Sequence, residues 1–145
     1  MPWVQDPHSG GVKIPKAVQE RTRQRILLYA EQKYRGRYTR LDIRFRGPLC
    51  YIDAYREPDV TRGWPPEGGP ETREEVAERL RSTPTHLCRL RYFGDEERWS
   101  LAFYTYSNEQ YTPCVFHNGS FHGTPEEALD VGATYLPDAP EVANG

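Results

Sequence analysis

Val18, Thr22, Ile26, Ala30 and Tyr34 recur at every fourth position, the signature of a helix with one buried stripe, and Leu27 widens that stripe. Pro15 suits a first helical turn and Gly36 a stop, so the pattern predicts a helix over 15–34. Arg21, Arg23, Arg25 and Lys33 fall on its other faces.

After Gly36 the period changes to two. Leu41, Ile43 and Phe45 point one way and Arg40, Asp42, Arg44 and Arg46 the other; Cys50, Ile52 and Ala54 then oppose Tyr51, Asp53 and Tyr55. These faces agree only if paired residue numbers sum to an odd value. A sum of 95, with Gly47 and Pro48 as the turn, sets Asp42 across from Asp53; a sum of 97 sets Arg44 there instead. Residues 58–70 carry too many Pro and Gly around Trp64 for regular structure and are expected to form a flap. Thr72 and Glu75 make a capping box, opening a helix to about residue 81 that presents Val76, Ala77 and Leu80.

Alternation returns over 87–93 and 98–106. With residues 94–97 as a four-residue loop, Cys88, Leu90, Tyr92, Trp99, Leu101 and Phe103 turn inward, and Arg89, Arg91, Arg98, Ser100, Tyr104 and Tyr106 outward. A strand over 111–116 contains Pro113 and belongs at a sheet edge. A loop at 107–110 would pair Phe103 with Cys114 and Leu101 with Phe116, leaving His117 outward beside Ser100. Thr124 and Glu127 repeat the capping box before a last short helix, with Ala128, Leu129 and Tyr135 as its buried positions. The order αββαβββα predicts an α+β fold, a five-stranded antiparallel sheet with helices on one face. Residues 15–136 read as a single domain between an irregular leader, 1–14, and a loose tail, 137–145.

Composition narrows the class of protein. At 145 residues, with 12% aromatic and 28% charged residues, the chain suits one folded domain and neither a disordered segment nor a membrane span. With no signal-peptide pattern at the start, a cytoplasmic location is expected. Cys50, Cys88 and Cys114 lie in apolar stretches at inward positions, which argues for core packing over a disulfide framework or a thiol nucleophile. Phosphate-binding, dinucleotide and nucleophile-elbow motifs are absent from the sequence, and no cofactor is expected.

Charge is unevenly placed. Residues 12–46 carry eleven Lys or Arg, whereas none follows Arg98, and the last third holds Glu109, Glu126, Glu127, Asp130, Asp138 and Glu141. Such a gradient favours two ends of one fold that attract each other over a polyanion partner for the basic end.

The outward strand positions supply the candidate chemistry. Arg40, Arg44, Arg46, Arg89 and Arg91 share a face with Tyr51, Tyr55, Tyr104 and Tyr106, residues that make forked hydrogen bonds and stack. This predicts a binding module for an anionic ligand, most simply single-stranded nucleic acid. The sequence pI of 6.1 lies below the value of about 9 expected of a strong nucleic-acid binder. A small enzyme is the alternative, with Asp42 and Asp53 as an acid–base pair among the arginines and His117 on the same face. Asp6, His8, His117 and His122 form a weaker metal-site alternative, because His117 and His122 flank a turn and match no common ligand spacing. Trp64 on the flap and the Pro113 edge strand point to a protein partner or a homodimer.

Trp3, Asp6, Pro7, His8, Ser9, Gly10 and Gly11 with Lys13 and Pro15, then Tyr51, Ile52, Asp53, Ala54 and Tyr55, and the run from Trp99 to Tyr106, give the chain a further resemblance. Up to Leu136 it resembles a family of short uncharacterised bacterial proteins. That resemblance implies a free-standing bacterial domain and brings no activity, ligand or site residue with it.

Overall fold

The computed structural model describes residues 9–58, 60 and 63–137. Helix α1, Lys16–Lys33, buries Val18, Thr22, Ile26 and Ala30 along the expected stripe, with Tyr34 closing it. Leu27 does not widen the stripe; it is 41% exposed, because the helix flank beside it faces solvent. Just before α1, Ile14 is fully buried, and its N–H donates to the Gly47 carbonyl.

Strands β1 (Arg40–Arg46), β2 (Leu49–Tyr55), β3 (Thr85–Tyr92), β4 (Trp99–Thr105) and β5 (Gln110–Cys114) form one antiparallel sheet in sequential order. The Gly47–Pro48 turn sets Asp42 opposite Asp53, the sum-of-95 register, and Gly47 adopts the positive φ this tight turn requires. Leu90 pairs with Leu101 across the expected four-residue loop.

The third hairpin differs from its expected register by two residues. Leu101, not Phe103, faces Cys114, and Thr105 pairs with Gln110. The turn therefore begins at Tyr106, with Asn108 N–H donating to the Thr105 carbonyl and Glu109 at positive φ. A two-residue shift keeps every side chain on its face, so parity alone could not detect it. β5 with Pro113 is a sheet edge, as expected.

Helices α2 (Arg73–Arg81) and α3 (Pro125–Gly132) both start at complete capping boxes, Thr72 with Glu75 and Thr124 with Glu127. A short 3-10 turn, Ala133–Tyr135, extends α3. α1 and α3 cover the inner face, where Ile26, Ile43, Ile52, Leu90, Trp99, Leu101 and Leu129 form the core. α2 stands at the end of the sheet between β2 and β3, burying Val76 but leaving Leu80 37% exposed. The described flap contacts run to α2, through the Arg73 guanidinium to the carbonyls of Val60 and Trp64. Trp64 is 56% exposed. Among the described residues no helix is long and apolar enough to cross a membrane.

Basic α1 meets the acidic segments directly. Arg21 pairs with Glu96, Arg25 with Glu97 and Glu126, and Lys33 with Asp130. Tyr29 and Tyr34 also donate to the Asp130 carboxylate. Much of the charge gradient thus becomes internal attraction between α1, the β3–β4 loop and α3.

Candidate anion-binding face

The outer face of the sheet begins at β1 and β2. There Arg40 pairs with Tyr55, Asp42 with Asp53 and Arg44 with Tyr51. Two carboxylates directly across a strand pair repel. Arg44 relieves this by bridging them, Nη2 to Asp53 Oδ2 at 2.9 Å and Nε to Asp42 Oδ2 at 3.3 Å. Arg40 lies 4.1 Å over the Tyr55 ring and Arg44 5.4 Å over Tyr51.

Asp53 is 2% exposed, so its second oxygen needs a partner. That partner is His86, with Nδ1 2.9 Å from Asp53 Oδ1. Strict alternation in β3 would aim His86 inward with Cys88 and Leu90. The structure inserts a bulge instead: Ile52 pairs with Cys88 and Asp53 with His86, leaving Leu87 without a partner on β2. Leu87 and Cys88 both go into the core, and His86 swings to the outer face. The signal in the sequence is the adjacent apolar pair Leu87–Cys88, which breaks the period of two.

Around His86 the aromatic residues form a closed cluster. Its ring centroid is 4.5 Å from that of Tyr104 and 6.4 Å from that of Tyr106, whose hydroxyl accepts the His86 backbone N–H. Tyr111 packs edge-on against Tyr51 and Tyr104, with Arg89 5.2 Å over its ring. Its hydroxyl is buried without a hydrogen-bond partner among the described residues. Burial pushes that hydroxyl up from its ordinary range, and the Asp53 charge adds to the shift. Edge-to-face packing occupies the rings of Tyr51, Tyr104 and Tyr111 with one another.

Arg46 is exposed at the end of β1, and Arg91 donates to the Gly10 carbonyl. Arg40, Arg46 and Arg89 form no ion pair among the described residues. Ser100 and Ala102, outward by register, are nonetheless 2% and 4% exposed. The middle of β4 on this face is therefore closed to solvent.

The acid–base pair of the enzyme alternative is divided: among the described residues Asp53 belongs to Arg44 and His86, and Asp42 to Arg44 alone. His117 does not sit beside Ser100 on the sheet; β5 ends at Cys114, and His117 is exposed on the following turn. His122 packs edge-on against Phe93, with ring centroids 5.9 Å apart. Asp6 and His8 lie outside the described residues. Among those described, no three His, Cys, Asp or Glu are grouped to hold a metal ion.

Fold and face together define an α+β domain with an open antiparallel meander, arginine-rich on the side away from α1 and α3. No protein-family model matches the chain, and no curated protein or solved structure is significantly similar to it.

Proposed function

We propose that this protein is a small cytoplasmic binding module whose outer sheet face takes an anionic ligand, single-stranded nucleic acid being the simplest occupant. One observation carries the reading. The basic residues of α1 are largely neutralised by Glu96, Glu97, Glu126 and Asp130, whereas Arg40, Arg46 and Arg89 share the outer face with no carboxylate partner among the described residues. Their three guanidinium charges add positive potential to this face. The tyrosines act mainly by holding the guanidinium planes, as Tyr55 does for Arg40 and Tyr111 for Arg89. Tyr106, 46% exposed, is the ring best placed to stack on a base.

Fluorescence anisotropy of a labelled oligonucleotide across a salt series tests this. Binding is expected to weaken as salt rises, with a log–log slope of about −0.7 per phosphate contacted. The triple variant Arg40→Ala, Arg46→Ala, Arg89→Ala is expected to lose affinity and flatten the slope. Absence of binding at low salt, or unchanged binding by the variant, overturns the reading.

A further inference from the structure

We propose that His86 is a general base that cleaves the strand bound on this face, and that the strand is RNA; the inference rests on the anion-binding reading above. Asp53 is an almost fully buried carboxylate shared between Arg44 Nη2 and His86 Nδ1, each at 2.9 Å. A carboxylate only accepts, so the proton between them sits on Nδ1, which leaves Nε2 as the ring nitrogen that can accept a proton. The ring is held by Tyr104 and Tyr106 and retains 30% side-chain exposure. A proton acceptor is thus fixed in orientation on a partly exposed side chain that shares its carboxylate with Arg44. A β-bulge, a device that re-aims side chains beside active sites, is what places it there.

Among the described residues, neither Cys88 nor Tyr106 offers a nucleophile beside His86. Cys88, two residues on, is fully buried in the core, and the Tyr106 hydroxyl is engaged with the His86 backbone. A substrate that carries its own nucleophile fits such a site, and among single strands RNA does, in its 2′-hydroxyl. His86 Nε2 takes the 2′-hydroxyl proton as the 2′ oxygen bonds to the adjacent phosphorus. The bond from phosphorus to the 5′ oxygen breaks, that oxygen takes a proton from solvent, and His86 returns its proton to solvent. The products are a 2′,3′-cyclic phosphate and a 5′-hydroxyl end. Arg44, held on Asp53, and Arg89, over the Tyr111 ring, are the cations this face offers to the phosphorane charge.

The test uses the full chain with RNA and DNA oligonucleotides of one sequence. RNA is expected to be cut to cyclic-phosphate and 5′-hydroxyl ends, and DNA to be bound intact. His86→Ala and His86→Gln, each checked for a wild-type circular dichroism spectrum, are expected to bind RNA but cut it at least about 100-fold more slowly. Asp53→Asn, a positioning change, is expected to lower kcat with KM little altered, a split that loss of fold would not produce. RNA bound but uncut, or cut equally by the His86 variants, overturns this inference and leaves the binding face standing. Failure to bind either strand overturns the binding face itself.

Discussion

Asp53 on β2 and His86 on β3 meet at 2.9 Å because Leu87 is an extra residue in its strand, turning His86 out of the core register and onto the outer face. The carboxylate is 2% exposed and depends on two partners, Arg44 and His86, both of which keep contact with water. Asp53→Ala removes the acceptor common to both. Because its partners can resolvate, the expected loss of stability is about 1–3 kcal/mol, in the range of hydrogen bonds to charged groups and below that of a fully buried broken pair. Urea unfolding monitored by tryptophan fluorescence measures it. A variant as stable as the wild type would show that the buried carboxylate contributes nothing net to folding.

The bulge has a second support on the inner face. A Cβ added to Gly132 of α3 would lie 2.9 Å from the Leu87 carbonyl oxygen and 3.0 Å from the Leu87 Cβ. Gly132→Ala must therefore push α3 away from β3 or shift the bulge, at an expected cost of about 1–3 kcal/mol. Since Leu87 adjoins His86, the His86 ring resonances in NMR spectra are expected to move with it. An alanine tolerated without change in stability or in those resonances would mean that α3 is free to recede.

Where the sequence was legible, one periodicity governed one element. The four-residue stripe of α1, the odd-sum register of β1 and β2, and the capping boxes at Thr72 and Thr124 each follow from local chemistry, and each is present. Two features escaped because parity does not encode them. The β4–β5 register slid by two, a change that preserves faces and was decided by the turn at Tyr106 and Glu109. The bulge at Leu87 reverses parity within β3 and carries the strand back to Thr85, so that His86, which lies before the strand expected over 87–93, joins the outer face. The candidate site was thus visible as a set of arginines and tyrosines, while its histidine depended on tertiary packing against α3.

Burial governs the cysteines. It raises the Cys50 thiol to about 12, drives Cys88 well above the ordinary range and raises the partly buried Cys114 to about 11. A thiol reagent at mildly alkaline pH is expected to react with the native protein far more slowly than with the unfolded chain, Cys114 leading. Fast labelling of Cys50 or Cys88 under native conditions, followed by mass spectrometry, would contradict the core assignment.

Asp130 makes stability sensitive to acid. Its burial works to raise the carboxyl, but donors from Tyr34, Lys33 and Tyr29 outweigh this and hold it below the usual range. A folded value lower than the unfolded one means the carboxylate's contribution is fully present above the unfolded value, about 3.9, and disappears as pH falls through the folded value. Glu96, held down first by its hydrogen bond from Arg21, acts in the same direction on the other end of α1. Asp130→Asn is expected to be less stable than wild type at neutral pH and to lose less stability on acidification, so the two curves converge below about pH 4. Urea midpoints measured for both proteins from neutral pH down to about pH 2 decide it. Parallel curves over that span would show that the tyrosine and lysine donors hold Asp130 no more tightly in the fold than water does in the unfolded chain.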